Sequence, residues 1–133
     1  MERSDCSTRS GPTVLLVDDE ELLRSLLSRI LFDAGFVVAE AANGRAALDV
    51  AARLADSLRL VVTDVHMPIM TGPEFVREFR PRFPDIPVLF MTGRAAPILD
   101  AGLGQELLQK PFTVEAFLTL VQRILGAQLE LRN

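Results

Sequence analysis

Four short apolar runs in this chain each give way to a polar residue at the same point in the pattern. Asp18 and Asp19 follow Thr13–Val17, Asp64 closes Arg59–Asp64, Thr92 closes Ile86–Thr92, and Lys110 follows Glu106–Gln109. Three carboxylates, a hydroxyl and an ammonium therefore recur at equivalent places. Gathered together, the carboxylates repel and raise one another's pKa unless a cation sits among them. Oxygen donors with no thiolate or imidazole partner favour a hard ion, Mg2+ above all. A metal and an ammonium to neutralise phosphoryl oxygens, a hydroxyl to donate a hydrogen bond and one aspartate as nucleophile are the parts for handling a phosphoryl group. Lys110 is the single lysine beside 13 arginines. Surface solubility does not explain that choice, whereas a compact point charge suits one carboxylate or phosphoryl oxygen.

Each residue also has a blander reading. Asp18 and Asp19 could cap a helix, since acids are favoured at helix N-termini. Asp64 could be a turn residue, Lys110-Pro111 a strand terminator, and Thr92-Gly93 says little alone. The only histidine, His66, reads as a solvated loop residue, and Cys6 as an inert residue near the chain start. Phe75, Phe79 and Phe117 read as core packing. What separates the aspartates, Thr92 and Lys110 from these readings is their joint placement at the ends of successive runs.

The elements that would position them are legible. The runs Thr13–Val17, Phe36–Glu40, Arg59–Asp64, Ile86–Thr92 and the weaker Glu106–Gln109 are brief and continuously apolar rather than alternating. Such runs fit strands buried on both faces, as in a parallel sheet covered by helices. Between them lie helical stripes: Leu23, Leu26, Leu27, Ile30 and Leu31, closed by Gly35; Ala47, Leu48, Ala51, Leu54 and Ala55, after Asn43-Gly44; and a third opening at Pro73, burying Phe75, Val76 and Phe79, and ending by Pro81. Thr113 is the expected N-cap of a last helix carrying Phe117, Leu120, Val121, Ile124 and Leu125. The stretch from Gly93 to Gly104 holds three glycines and Pro97, so a short or irregular helix is expected there. The order is (βα)5, a doubly wound α/β sandwich. In such sheets ligands sit at the carboxyl ends of the strands, which is where the chemistry-bearing residues fall. The second run ends in Glu40, Ala41 and Ala42, offers little chemistry and suits an edge strand.

Composition sets the boundaries. The 133 residues suit one domain, expected over 13–128 between a flexible tail at 1–12 and a short one at 129–133. Hydrophobic residues make up 49% of the chain, too many for a disordered segment. The net charge of −4 and scattered arginines give no basic stripe for nucleic acid. One cysteine excludes an internal disulfide and a cysteine-built zinc site. No run approaches the roughly 18 apolar residues that span a bilayer, and the first dozen residues do not form a secretory signal. The expectation is a cytoplasmic domain without membrane contact.

The strings VLLVDDEE, VVTDVHMPIMTG, LFMTG and LLQKPFT closely resemble the receiver domains of two-component response regulators, in the family's order and across about residues 13 to 128. LLQKPFT looks most like receivers attached to hybrid histidine kinases. The resemblance implies a flavodoxin-like fold with strand order 2-1-3-4-5. It implies that Asp64 is the phospho-acceptor, that Asp19 holds Mg2+ directly and Asp18 largely through water, and that the backbone carbonyl of His66 is a further metal ligand. It implies that Thr92 meets the phosphoryl group, that Lys110 pairs with it, that the Lys110-Pro111 bond is cis, and that Met67-Pro68 and Gly72 turn the chain after the acceptor. The implied reaction moves a phosphoryl group from phosphohistidine on a histidine kinase or histidine phosphotransfer protein to Asp64, making the domain a switch that assists its own chemistry rather than an enzyme.

The chain departs from the family at Leu107, where an aromatic residue usually turns inward on activation. The expected moving part is then the 93–104 segment. With the fifth strand and last helix it would form the face for a downstream protein target or a second copy of the chain. No output domain is expected, because the chain ends soon after the last helix. Three rivals are weighed against this reading. A phosphorylation-independent interaction module would lack an acceptor, acid or lysine. A small aspartate-nucleophile phosphatase would carry a second aspartate where His66 stands. A flavin carrier would need stacking aromatics and a Ser/Thr-rich phosphate loop.

Overall fold

A computed structural model describes residues 11–93 and 105–132. Five strands, β1 (Thr13–Val17), β2 (Val37–Ala41), β3 (Leu58–Asp64), β4 (Val88–Thr92) and β5 (Gln105–Gln109), form one parallel sheet in the order β2-β1-β3-β4-β5. Four helices accompany them among the described residues: α1 (Glu21–Asp33), α2 (Gly44–Leu54), α3 (Gly72–Phe79) and α4 (Val114–Arg132). The irregular helix expected at 93–104 falls outside the described residues from 94 onward. α4 continues through Arg132, past the boundary expected at 128, and Gln128 to Arg132 consists of good helix formers.

The continuous apolar runs are explained by two cores. Within β1, Leu15 and Val17 join Val61, Phe75, Phe79, Val88 and Phe90 on the α2/α3 face. Val14 and Leu16 join Leu27, Leu31, Leu60, Leu89, Met91, Phe117 and Val121 on the α1/α4 face. Successive side chains of a strand point to opposite faces, so a strand covered twice has no polar position to spare. β2 lies at the sheet edge, as the second run's composition suggests, and is only partly buried apart from Ala41.

Local chemistry fixes the helix ends. The Asn43 side chain accepts from Ala46 N–H at the start of α2, and Thr113 accepts from Ala116 N–H at the start of α4. At α3, Thr71 and Glu74 form a reciprocal capping box with Pro73 in the first turn. α1 stops at Gly35, which adopts φ +102°. Gly35 N–H reaches Phe32 O at 3.0 Å and Phe36 N–H reaches Leu31 O at 3.1 Å. That paired closure needs a left-handed residue, a conformation only glycine adopts without steric cost. β1 matches the expected run, and the other strands shift by one or two residues at their ends. β4 opens at Val88 rather than Ile86 because Pro87 has no N–H to place in the ladder.

Candidate functional site

Parallel pairing brings the carboxyl ends of all five strands to one rim. Asp18 follows β1, and its backbone N–H donates to Ala41 O at the end of β2 (3.1 Å). Asp64 is the last residue of β3, and Thr92 the last of β4. Lys110 follows β5, its N–H donating to Thr92 O at 2.7 Å, and the bond to Pro111 is cis. One carboxylate oxygen from each of Asp18, Asp19 and Asp64 lies within 4.8 Å of the others. Lys110 Nζ lies 3.4 Å from Asp64 Oδ2. The residues singled out at four separate run ends are thus neighbours.

The two acids after β1 differ. Asp18 is fully buried and Asp19 exposed. Asp18 Oδ1 accepts from Glu20 N–H at 2.8 Å, whereas its buried Oδ2 has no hydrogen-bond donor among the described residues. Burial pushes the Asp18 carboxyl above the usual carboxylate range, and the charges of Asp64 and Asp19 add to that, against the Glu20 hydrogen bond and the Lys110 charge. Neither aspartate caps α1, whose N-cap is Glu20 without a side-chain cap bond. The capping reading therefore fails, and a buried carboxylate oxygen is left facing like charges. An unpaired buried carboxylate is costly. An all-oxygen donor set of this kind fits a hard divalent cation.

The loop after β3 is held tightly. Thr63 Oγ1 donates to Asp64 O at 3.0 Å, Val65 N–H to Met91 O at 3.0 Å, and Gly72 N–H to Val65 O at 2.9 Å. A Cβ at Gly72 would stand 2.3 Å from Asp64 O, so glycine is required by close approach. Ile69 sits at the tip with φ +71°, and Met70 N–H bonds back to Pro68 O at 2.6 Å. His66 lies on this loop with an exposed side chain, while Thr92 is buried. Leu107 pairs in register with Phe90, and its side chain is partly exposed.

Sequence reasoning missed Arg24 and Glu40. Arg24 Nη1 donates to the backbone carbonyl of Asp18 at 2.8 Å, and its Nε to Glu40 Oε1 at 2.9 Å. The end of the second run, read as offering little chemistry, supplies both the Ala41 carbonyl and the Glu40 carboxylate that hold the acidic loop. Arg24 was legible only as one of many arginines, set in the polar gap of an apolar stripe.

The model of the response regulator receiver domain family matches residues 14–122. Among similar curated proteins, the sensor kinase CckA of Brucella abortus (strain 2308) is 38% identical over 120 residues, which cover 87% of this chain and 13% of that protein. The response regulator protein FleR of Pseudomonas aeruginosa is 40% identical over 121 residues, covering 87% of this chain and 25% of that protein. The chain therefore spans only a fraction of these relatives. Among solved structures, the receiver domain of the hybrid histidine kinase CckA superposes with a TM-score of 0.76 at 32% identity, covering 85% of this chain and 98% of that one. The chemotaxis response regulator CheY4 of Vibrio cholerae gives a TM-score of 0.79 at 36% identity, covering 86% and 99%. No helix among the described residues is long and apolar enough to cross a membrane. Matched over most of its length by the family model, and folded with its aspartates and lysine on one rim of a 2-1-3-4-5 sheet, this chain belongs to the response regulator receiver domains of two-component signalling.

Proposed function

We propose that this receiver accepts a phosphoryl group on Asp64, with Mg2+ bound in the acidic cluster, and thereby switches partner binding. The observation that carries the proposal is the convergence of Asp18, Asp19 and Asp64 within 4.8 Å, with Lys110 Nζ 3.4 Å from Asp64. Asp19, Asp64 and the backbone carbonyl of His66 would hold the ion directly, with Asp18 acting largely through water. When bound, the ion would neutralise charge on the phosphoryl oxygens and relieve the repulsion among the carboxylates. The P–N bond of a phosphohistidine on a kinase or phosphotransfer protein breaks as an Asp64 carboxylate oxygen bonds to phosphorus, and the imidazole leaves with the electron pair. Lys110 and the Thr92 hydroxyl stabilise the phosphoryl oxygens by charge and hydrogen bond. Water later hydrolyses the acyl phosphate and restores the carboxylate. The chain acts on itself, so it works as a switch in a phosphorelay rather than as a turnover enzyme.

The phosphatase alternative lacks support at one place. Its second aspartate would stand at position 66, where an exposed histidine lies. Incubation with Mg2+ and a small phosphodonor such as acetyl phosphate should add one phosphoryl group by intact mass, and Asp64→Asn should add none. Equal labelling of that variant would end the proposal.

A further inference from the structure

The geometry points to Arg24, braced by Glu40, as the residue that positions the metal-binding loop; this rests on the proposed Mg2+ site. The acidic loop between β1 and α1 carries two of the cluster's three carboxylates, and its backbone is tied to the edge strand at two points. One is the Asp18 N–H to Ala41 O bond across the sheet. The other is the Arg24 fork, which spans from Asp18 O (2.8 Å) to Glu40 Oε1 (2.9 Å). Arg24 thus reaches back from the first turn of α1 and joins the loop to the end of β2. Its side chain is largely covered, at 17% exposed, while Glu40 is 39% exposed.

An ion pair this close to solvent adds little to stability. The carbonyl contact is what gives the residue a role. Asp18 contributes its carbonyl to Arg24 and its Oδ1 to Glu20 N–H, while its buried Oδ2 has no donor among the described residues. With its carbonyl and one carboxylate oxygen both fixed, the Asp18 carboxylate has a defined place beside Asp19 and Asp64. Arg24 makes its hydrogen bonds to the Asp18 carbonyl and to Glu40 rather than to the cluster carboxylates, so it acts through Asp18 as a positioning residue. Two separate nitrogens are needed to reach two acceptors on two elements. A guanidinium supplies them in one rigid plane, and an ammonium does not. Groups that orient ligands from outside the first layer commonly change metal affinity by about 10–100-fold.

The test is Mg2+ titration of the intact chain by calorimetry, alongside melting in chelator and phosphorylation rates across Mg2+ concentration. Arg24→Lys keeps the charge and loses the fork; Glu40→Gln keeps the carbonyl contact and weakens the brace. The expected result is a Kd for Mg2+ raised about tenfold or more in Arg24→Lys and less in Glu40→Gln. Melting in chelator should hold near wild type, and the phosphorylation rate should be regained at saturating Mg2+. Affinity unchanged in Arg24→Lys would overturn the assignment, as would an affinity loss that merely tracks a lowered melting temperature. A wild-type chain that binds no Mg2+ would overturn the metal reading itself, a result distinguishable from intact binding in the wild type and both variants.

Discussion

Asp18 has its charge opposed by its surroundings. Burial raises its carboxyl above the usual range, with help from Asp64 and Asp19, so its ionisation opposes folding of the metal-free chain. That cost is present above the raised folded-state pKa and fades as pH falls through it. Asp18→Asn should therefore melt above wild type in chelator at neutral pH, and the gap should close on acidification. In wild type, Mg2+ at a hundredfold excess over its Kd should add about 2.7 kcal/mol. Asp19→Asn should lose more of that increment than Asp18→Asn, since Asp19 is the proposed direct ligand; equal losses would contradict that ranking. His66, exposed two residues past Asp64, should affect how water reaches the proposed acyl phosphate. His66→Asn should change the dephosphorylation rate while leaving phosphorylation intact, and identical decay in both proteins would mark the side chain as a bystander. At this scale the sequence revealed the charged and hydroxyl groups because they stand where apolar runs end. It did not reveal Arg24, because its role depends on a carbonyl, which has no letter of its own.

Among the elements, the β3–α3 loop is the one most constrained by backbone. Gly72, the first residue of α3, abuts Asp64 O closely enough that a Cβ would sit 2.3 Å away, with Val65 Cα at 3.2 Å. Gly72→Ala should cost about 3 kcal/mol, at the upper end for overpacking, and should displace Asp64, the proposed acceptor. Labelling of Asp64 should fall even below the melting transition, and an unperturbed Tm would refute the clash. The exposed Ile69 shows the opposite case. A β-branched side chain at φ +71° is strained, so Ile69→Gly should gain about 1 kcal/mol in denaturant unfolding. Strands and helices were readable in the sequence because apolar runs and caps report on burial and orphaned backbone groups. The left-handed Ile69 was not, because no local signal distinguishes it from an ordinary exposed residue. The 3-10 turn at Ala55–Ser57 also went unread, its alanine having extended the stripe of α2 by one position.

Across the whole molecule, the sheet divides the interior into two cores that share no side chain among the described residues. Val76 belongs to one and Val121 to the other. Val76→Ala and Val121→Ala should each cost about 2 kcal/mol, and the double variant should cost their sum within about 0.5 kcal/mol. A larger discrepancy would mean that the sheet transmits repacking between its faces. The strand order has a further consequence, concerning time. Strands 2-1-3 already form a contiguous half-sheet, and β4 and then β5 extend it at one growing edge. That order lets assembly follow synthesis. The three aspartates are in place once β3 has docked, but Lys110 is delivered last. A nascent chain stalled before Gln105 can hold the negative rim yet lacks its built-in counter-charge. Such a chain should gain more protease resistance from Mg2+ than the finished protein does, which would make the ion a folding aid as well as the proposed signalling cofactor.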